Sequence, residues 1–299
     1  CLIMSKMIFK GSIPAVITPF DRNHNIDFDS LEKHINFLID EGSHGLVSCG
    51  TTGESPTLDH DEHKKVTEFI VKKSNSRVPV MAGCGSNSTT ETLDLVDHAK
   101  KSKADAALLV TPYYNKPSED GLFKHYKFIS EKIDLPVYLY DIPGRSIVRL
   151  SINLIEKLSK IKNIVGIKDA TSDLSSPMEV RRICGKNFVQ LSGEDATFLA
   201  FLMNGGTGCI SVTANVVPRI SSQIYESWKN KDFVKSMELN HLLYPLNKAL
   251  FLQSSPCPVK YALSKMNKCH NVLRLPLTSV NEDTMNEIDL VLKHLNLIK

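Results

Sequence analysis

Short apolar runs rich in β-branched residues recur along the chain: Ala15 to Thr18, Gly45 to Ser48, Val78 to Ala82, Ala106 to Val110, Val137 to Tyr140, Ile164 to Lys168, Phe188 to Leu191 and Gly208 to Val212. Runs of this length, bounded by turn residues, predict buried strands. They begin about 20 to 33 residues apart, which leaves room for one helix and two loops each time. The segments between them have helical spacing. Leu31, His34, Ile35, Leu38 and Ile39 fall at i, i+3, i+4 intervals, and Val66, Phe69 and Ile70 repeat the pattern. Asp59 followed three residues later by Glu62 predicts a capping box at a helix start. Eight unbroken strand–helix units predict an α/β fold, a closed (β/α)8 TIM barrel over residues 8–216, with an open doubly wound sheet as the alternative. From Val217 the strand signal stops. Ile220 to Lys229, Phe233 to Phe251, Val259 to Met266 and Val280 to Leu297 carry only helical spacing, punctuated by Pro245, Pro256, Pro258 and Pro276. Residues 217–299 are therefore expected to be additional C-terminal helices packed on the barrel, with a small second domain as the alternative.

Composition narrows the class. A chain of 299 residues, 42% hydrophobic and 23% charged, suits one α/β barrel of ordinary soluble type. The net charge of +3 is too small and too evenly spread to argue for nucleic acid or a membrane surface, and no apolar stretch is long enough to span a bilayer. Seven scattered cysteines, with no C-x-x-C pair, read as buried thiols of a reducing, cytoplasmic compartment. The opening Cys1-Leu2-Ile3-Met4-Ser5-Lys6-Met7 is too short and mixed for a signal peptide, and Met4 or Met7 is read as the natural start.

In such a barrel the chemistry gathers at the C-terminal ends of the strands. The sixth run closes in Gly166-Ile167-Lys168-Asp169-Ala170-Thr171. Alternation sets Ile164, Gly166 and Lys168 on one face, and the glycine removes bulk beside the amine. Burial disfavours the ammonium form, and a neutral amine can attack a carbonyl to form a Schiff base. The plain alternative is a solvated lysine at a strand end. After the second run comes Gly50-Thr51-Thr52-Gly53-Glu54-Ser55, whose exposed backbone N–H groups suit a small carboxylate or phosphate, or which forms only a tight turn. Tyr113 and Tyr114 follow the fourth run between prolines. Tyr138 and Tyr140 share the interior face of the fifth, which leads to Arg145. One lysine, interior tyrosines, a hydroxyl-rich loop and an arginine on one rim suit amine catalysis on a keto acid. Competing motifs are weaker. Gly83-Cys84-Gly85-Ser86-Asn87-Ser88 lacks the third glycine of a dinucleotide fingerprint, and His60-Asp61-Glu62-His63 is not the H-E-x-x-H of zinc peptidases, so no metal site is expected.

These motifs, in this order, resemble the dihydrodipicolinate synthase family of the class I pyruvate-dependent aldolases. The matching stretches are Gly50 to Glu54, Thr111 to Asn115, Tyr140 to Arg145, Gly166 to Thr171, Ser192 to Asp195, Gly208 to Asn215, Pro258 to Leu263 and Leu273 to Leu277, within a similarity running from about Phe9 to the C-terminus. The resemblance implies a lyase that condenses pyruvate with L-aspartate-4-semialdehyde to 4-hydroxy-tetrahydrodipicolinate, the first committed step of lysine and diaminopimelate synthesis. It implies no cofactor beyond a covalent pyruvate imine on Lys168. Thr51, Tyr140 and Tyr114 match the proton relay, with Tyr114 entering from a neighbouring subunit of a homotetramer built as two tight dimers. Thr52 matches the second residue of the pyruvate loop, and Arg145 the receiver of the semialdehyde carboxylate. Gly193 and Ile210 match backbone contacts around the lysine.

The resemblance also implies feedback inhibition by L-lysine at a tight-dimer site matching Pro56, His60, His63, Asn87, Glu91 and Tyr113. The chain departs from the family at Asp141, usually asparagine, at Ser146, usually threonine, and at Gln253 and Ser255, where glutamate and asparagine are common. A carboxylate at Asp141 is expected to compete for Arg145. The nearest rivals, N-acetylneuraminate lyase and keto-deoxy sugar-acid aldolases, share the fold and the lysine. The sialic acid lyases tend to read Ser-Thr in place of Thr51-Thr52 and generally lack the arginine.

Overall fold

A computed structural model describes residues 9–299 of the protein. The opening residues Cys1 to Met7, and Ile8 at the expected start of the barrel region, lie outside the described residues. Eight parallel strands form one sheet: β1 (Gly11–Pro14), β2 (Leu46–Ser48), β3 (Val80–Gly83), β4 (Ala106–Val110), β5 (Val137–Asp141), β6 (Ile164–Asp169), β7 (Val189–Ser192) and β8 (Gly208–Ser211). From β2 to β8 each strand pairs with its sequence neighbour, and β1 pairs with β8. A bridge from Ala15 to Val47 joins the end of β1 to β2, so the sheet curls round to meet itself. This is the (β/α)8 TIM barrel that the periodicity predicts, and the open sheet is excluded.

The helices are α1 (Phe28–Asp40), α2 (His60–Ser74), α3 (Thr89–Lys101), α4 (Glu119–Lys132), α5 (Pro143–Ser146), α6 (Ile152–Ser159), α7 (Ser176–Cys184), α8 (Phe198–Met203), α9 (Pro218–Lys229), α10 (Phe233–Ala249), α11 (Cys257–Lys265) and α12 (Glu282–His294). Several start on a side chain that takes a first-turn N–H: Asp27, Asp59, Ser88, Ser118, Ser151 and Asn281. Each such cap contributes about 1 kcal/mol. Asp59 and Glu62 form the expected capping box.

Two layers of apolar side chains result. Inside the barrel lie Ile13, Ala15, Val47, Met81, Leu108, Tyr138, Tyr140, Leu191 and Ile210. Outside, residues such as Leu109, Leu139 and Ile167 pack against the helices. The last four helices bury Leu239, Leu243, Leu246, Ile288 and Leu292 in a core shared with Ile17, Phe198 and Cys209.

Three details differ from the sequence expectation. The first strand is Gly11–Pro14, not Ala15 to Thr18. Ala15 to Thr18 is buried, but while the Ala15 and Val16 N–H groups still reach the strand carbonyls of Ser211 and Val47, the Ile17 N–H goes to the side-chain oxygen of Asn215. A buried loop and a buried strand look alike in hydrophobicity. In β6, Val137 pairs with Ile164 while Tyr138 pairs with Gly166, so Val165 is an extra, bulged residue. Ile164 therefore faces the helices with Ile167, and simple alternation fails before Gly166. Finally, a Cβ on Gly166 would fall 2.7 Å from the Tyr138 ring and 2.5 Å from the Val189 carbonyl, so the glycine makes room for Tyr138 rather than for the amine.

Candidate active site

Lys168 sits at the C-terminal end of β6, only 7% exposed. Its Nζ lies 4.1 Å from the centre of the Tyr140 ring, which β5 supplies at the paired position. This is an attractive cation–π distance. Gly193 closes the other side, where a Cβ would lie 3.1 Å from Lys168 Cε. Among the described residues no carboxylate forms a salt bridge with Lys168, so the amine faces open space. That space is a cavity of about 420 Å³ lined by Thr51, Tyr140, Arg145 and Lys168.

The structure divides the expected residues. Thr51 lines the cavity from the loop after β2, while Thr52 is buried behind it. The loop is held by Gly53 and Glu54 N–H groups donating to the Gly50 and Thr51 carbonyls at 3.0 Å and 3.1 Å. Ile210 is a core residue of β8 and, like Gly193, does not line the cavity. Tyr114 lies outside it, 91% exposed, with a left-handed φ of 70°. Tyr138 does not join the rim as the shared strand face suggested. Its ring packs edge-on against Phe9, 5.7 Å away. Two residues along a strand separate the barrel's rim from its interior, and burial pushes the Tyr138 phenol well up.

The same cavity extends to the second expected cluster. Pro56, His60, His63, Glu91 and Tyr113 line it, whereas Asn87 does not. Asn87 instead accepts a hydrogen bond from Asn115 through its carbonyl. Glu91 accepts a 2.6 Å bond from Ser86 Oγ. Burial pushes the His63 imidazole down to about 4, so it is neutral at physiological pH. Among the described residues no group of three or more His, Cys, Asp or Glu side chains is placed to hold a metal ion. Glu62, the glutamate of the His-Asp-Glu-His stretch, caps α2 and pairs with Arg274.

The profile of the dihydrodipicolinate synthetase family matches residues 8–295. The chain belongs to that family. It is 51% identical over 293 residues to the 4-hydroxy-tetrahydrodipicolinate synthase of Rhizobium meliloti (strain 1021), a match covering 97% of this chain and 100% of the relative. The chloride-inhibited dihydrodipicolinate synthase from Acinetobacter baumannii, solved in complex with pyruvate, superposes with a TM-score of 0.95 at 41% identity, covering 97% of this chain and 100% of that one. The enzyme from Cyanidioschyzon merolae, solved with lysine bound, gives a TM-score of 0.94 at 30% identity, covering 97% and 99%.

Within the family frame, the departures have local explanations. Asp141 does not compete for Arg145. Its carboxylate accepts the Leu150 N–H at 3.2 Å and faces Arg149 at 3.9 Å, because α5 carries Arg145 away from the strand end. Burial pushes the Asp141 carboxyl up to about 7, opposed by the Leu150 N–H and Arg149 and reinforced by Asp169. Ser146 Oγ lies 2.9 Å and 2.8 Å from the carbonyls of Ile142 and Val148, bonds that need only a hydroxyl. Arg145 donates to the Ser255 carbonyl at 3.2 Å, so position 255 serves through its main chain. Gln253 accepts from the Asn281 N–H at the start of α12.

Motif reading passed over Lys260 and the carboxylate of Glu54, which form a fully buried ion pair 2.5 Å long. The available signal was a charged residue inside the apolar run Pro258 to Leu263.

Proposed function

We infer that the protein is a 4-hydroxy-tetrahydrodipicolinate synthase, a lyase that condenses pyruvate with L-aspartate-4-semialdehyde. The observation that carries this reading is Lys168, buried at a strand end and open to a cavity shared with Thr51, Tyr140 and Arg145. The Lys168 amine attacks the pyruvate ketone carbon, and loss of water leaves an imine. Removal of a methyl proton gives an enamine, with the imine nitrogen as electron sink, so no external cofactor is invoked. The enamine carbon adds to the aldehyde. The amino group of the added portion then displaces Lys168, closing the ring to 4-hydroxy-tetrahydrodipicolinate, which opens lysine and diaminopimelate synthesis.

Thr51, Tyr140 and Tyr114 carry the protons. Tyr114 acts from the neighbouring subunit of a homotetramer built as a dimer of dimers. Its exposure, and its absence from the lining of its own chain's cavity, support this. Thr52 and the loop N–H groups hold the pyruvate carboxylate, Gly193 and Ile210 frame the lysine through their backbones, and Arg145 receives the semialdehyde carboxylate. Residues 217–299 act as a helical region packed on the barrel. The substrates are small molecules, with no role for nucleic acid or membrane, and no helix among the described residues is long and apolar enough to cross one. Free thiols at Cys49, Cys84, Cys184, Cys209, Cys257 and Cys269 support a cytoplasmic setting. The relatives' names do not favour sialic acid or sugar-acid cleavage.

Borohydride reduction in the presence of pyruvate, followed by peptide mass spectrometry, tests the assignment. The adduct is expected on Lys168, and an adduct on another lysine overturns it. L-lysine is the proposed feedback inhibitor, bound by Pro56, His60, His63, Asn87, Glu91 and Tyr113. The continuity of the cavity from Lys168 to His63 supports this, as does the lysine-bound relative. Millimolar L-lysine should lower activity, and Glu91→Ala should remove the effect. Unchanged inhibition in the variant excludes the site.

A further inference from the structure

The loop that lines the cavity at Thr51 is bracketed by two left-handed residues, Cys49 with φ 46° and Glu54 with φ 55°. Neither is glycine, and such conformations persist only where the surroundings impose them. On the first side the Cys49 thiol donates to the His63 carbonyl of α2. On the second, Glu54 Oε1 takes the Lys260 ammonium and Oε2 takes the Arg274 N–H at 3.2 Å. The two residues of the pair are 206 positions apart in sequence, and both side chains are wholly buried. The Phe20 ring lies under both cations, 4.1 Å from Lys260 Nζ and 4.4 Å from the Arg274 guanidinium. The Arg274 guanidinium is itself fixed by Glu62 and by the carbonyls of Thr57 and His24.

A buried pair of this kind is a poor way to gain stability. Removing two charges from water offsets most of their attraction, and well-packed apolar residues serve as well or better. What an ion pair adds is a fixed direction. Here it ties the end of the Thr51–Thr52 loop to the first turns of α11, and through it to the C-terminal helices.

We propose that Glu54 and Lys260 are positioning residues for pyruvate: their ion pair sets the Gly50–Gly53 loop in the geometry that receives the substrate carboxylate. Neither residue touches the reacting atoms. This rests on the reading of Thr52 and the loop N–H groups as the carboxylate seat, and a control separates the two ideas. Arg145 hangs from the Ser255 carbonyl, not from Glu54, so the semialdehyde side should be spared when Glu54 changes.

The test uses full-length Glu54→Gln, the double variant Glu54→Gln/Lys260→Met, and Thr52→Val as control. Steady-state KM is measured for each substrate, with circular dichroism to confirm the fold and borohydride trapping to count active sites. Glu54→Gln should raise the pyruvate KM about tenfold, since small misplacements at a reacting centre are costly, with the semialdehyde KM changed by less than about threefold. The double variant leaves no lone buried charge, so it should fold even if Glu54→Gln does not, and it should keep the raised pyruvate KM. A merely structural pair would lower Tm and the count of active sites while leaving both KM values alone. A double variant with wild-type circular dichroism and a pyruvate KM within about twofold of wild type overturns the inference if Thr52→Val raises that KM. A normal pyruvate KM in Thr52→Val removes the carboxylate seat and the inference with it.

Discussion

Two lysines of this chain are buried under almost the same local geometry and face opposite surroundings. Lys168 and Lys260 each set Nζ 4.1 Å from the centre of an aromatic ring, Tyr140 in one case and Phe20 in the other. Lys260 is sealed from solvent and closed by Glu54 at 2.5 Å. Lys168 faces a cavity and has no carboxylate partner among the described residues. The difference lies in what the fourth direction offers. A lysine closed by a carboxylate keeps its proton occupied and serves as a strut. A lysine that opens on a cavity has a lone pair to give once deprotonated. Burial alone therefore does not separate the two lysines; the empty approach to Lys168 does.

The comparison breaks most sharply at the amine itself. Lys168→Arg keeps the charge but cannot supply a neutral nucleophile. It should fold and lose on the order of 10³-fold or more of turnover, with no borohydride adduct. Lys260→Met should retain the adduct on Lys168 while losing about 3–5 kcal/mol of unfolding free energy, because Glu54 is left buried without its partner. Urea unfolding distinguishes the two. If Lys260→Met abolishes the adduct in folded protein, the division of labour between the lysines is wrong.

The next effect concerns the ring beneath Lys168. Tyr140→Phe preserves the aromatic face and deletes only the hydroxyl. A fall in kcat of about 10²- to 10⁴-fold would assign Tyr140 to proton transfer, and Thr51→Val should fall in the same range. Wild-type kcat in both variants would leave the ring as a packing surface like Phe20.

The smallest effect is a pH dependence. Asp141 has its carboxyl pushed from the usual 3.8 up to about 7, burial being the main cause. The folded protein thus holds this proton more tightly than the unfolded chain. Its stabilising contribution is present below 3.8 and is lost as pH rises through about 7. Asp141→Asn keeps an acceptor for the Leu150 N–H and removes the titration. Relative to wild type it should gain on the order of 2 kcal/mol between about pH 5 and about pH 8, read from urea midpoints. An equal difference at both pH values would contradict the assignment.

The barrel, the order of its motifs and the position of Lys168 were legible because they rest on local signals. Periodicity reports which faces are buried, and a charged residue closing an apolar run stands out. The bulge at Val165 was not legible, since an extra residue leaves composition unchanged and alters only parity. Nor was the retreat of Tyr138 to Phe9, because sharing a strand face does not say which layer of the barrel a side chain fills. Asp141 was paired with the wrong arginine for a similar reason: proximity in sequence favoured Arg145, while the turn of α5 brought Arg149 to the carboxylate.

What the sequence determined by itself was the alternation of strands and helices and the residue types at each strand end, for these follow from the contact of a segment with its own solvent and core faces. The tertiary structure alone decided which groups meet across long stretches of chain. It brought Lys260 to Glu54 and the Ser255 carbonyl to Arg145. It also joined the Lys168 cavity to the His63 cluster. Such meetings depend on how the closed barrel and the C-terminal helices pack together, and no local pattern encodes a partner some 200 residues away.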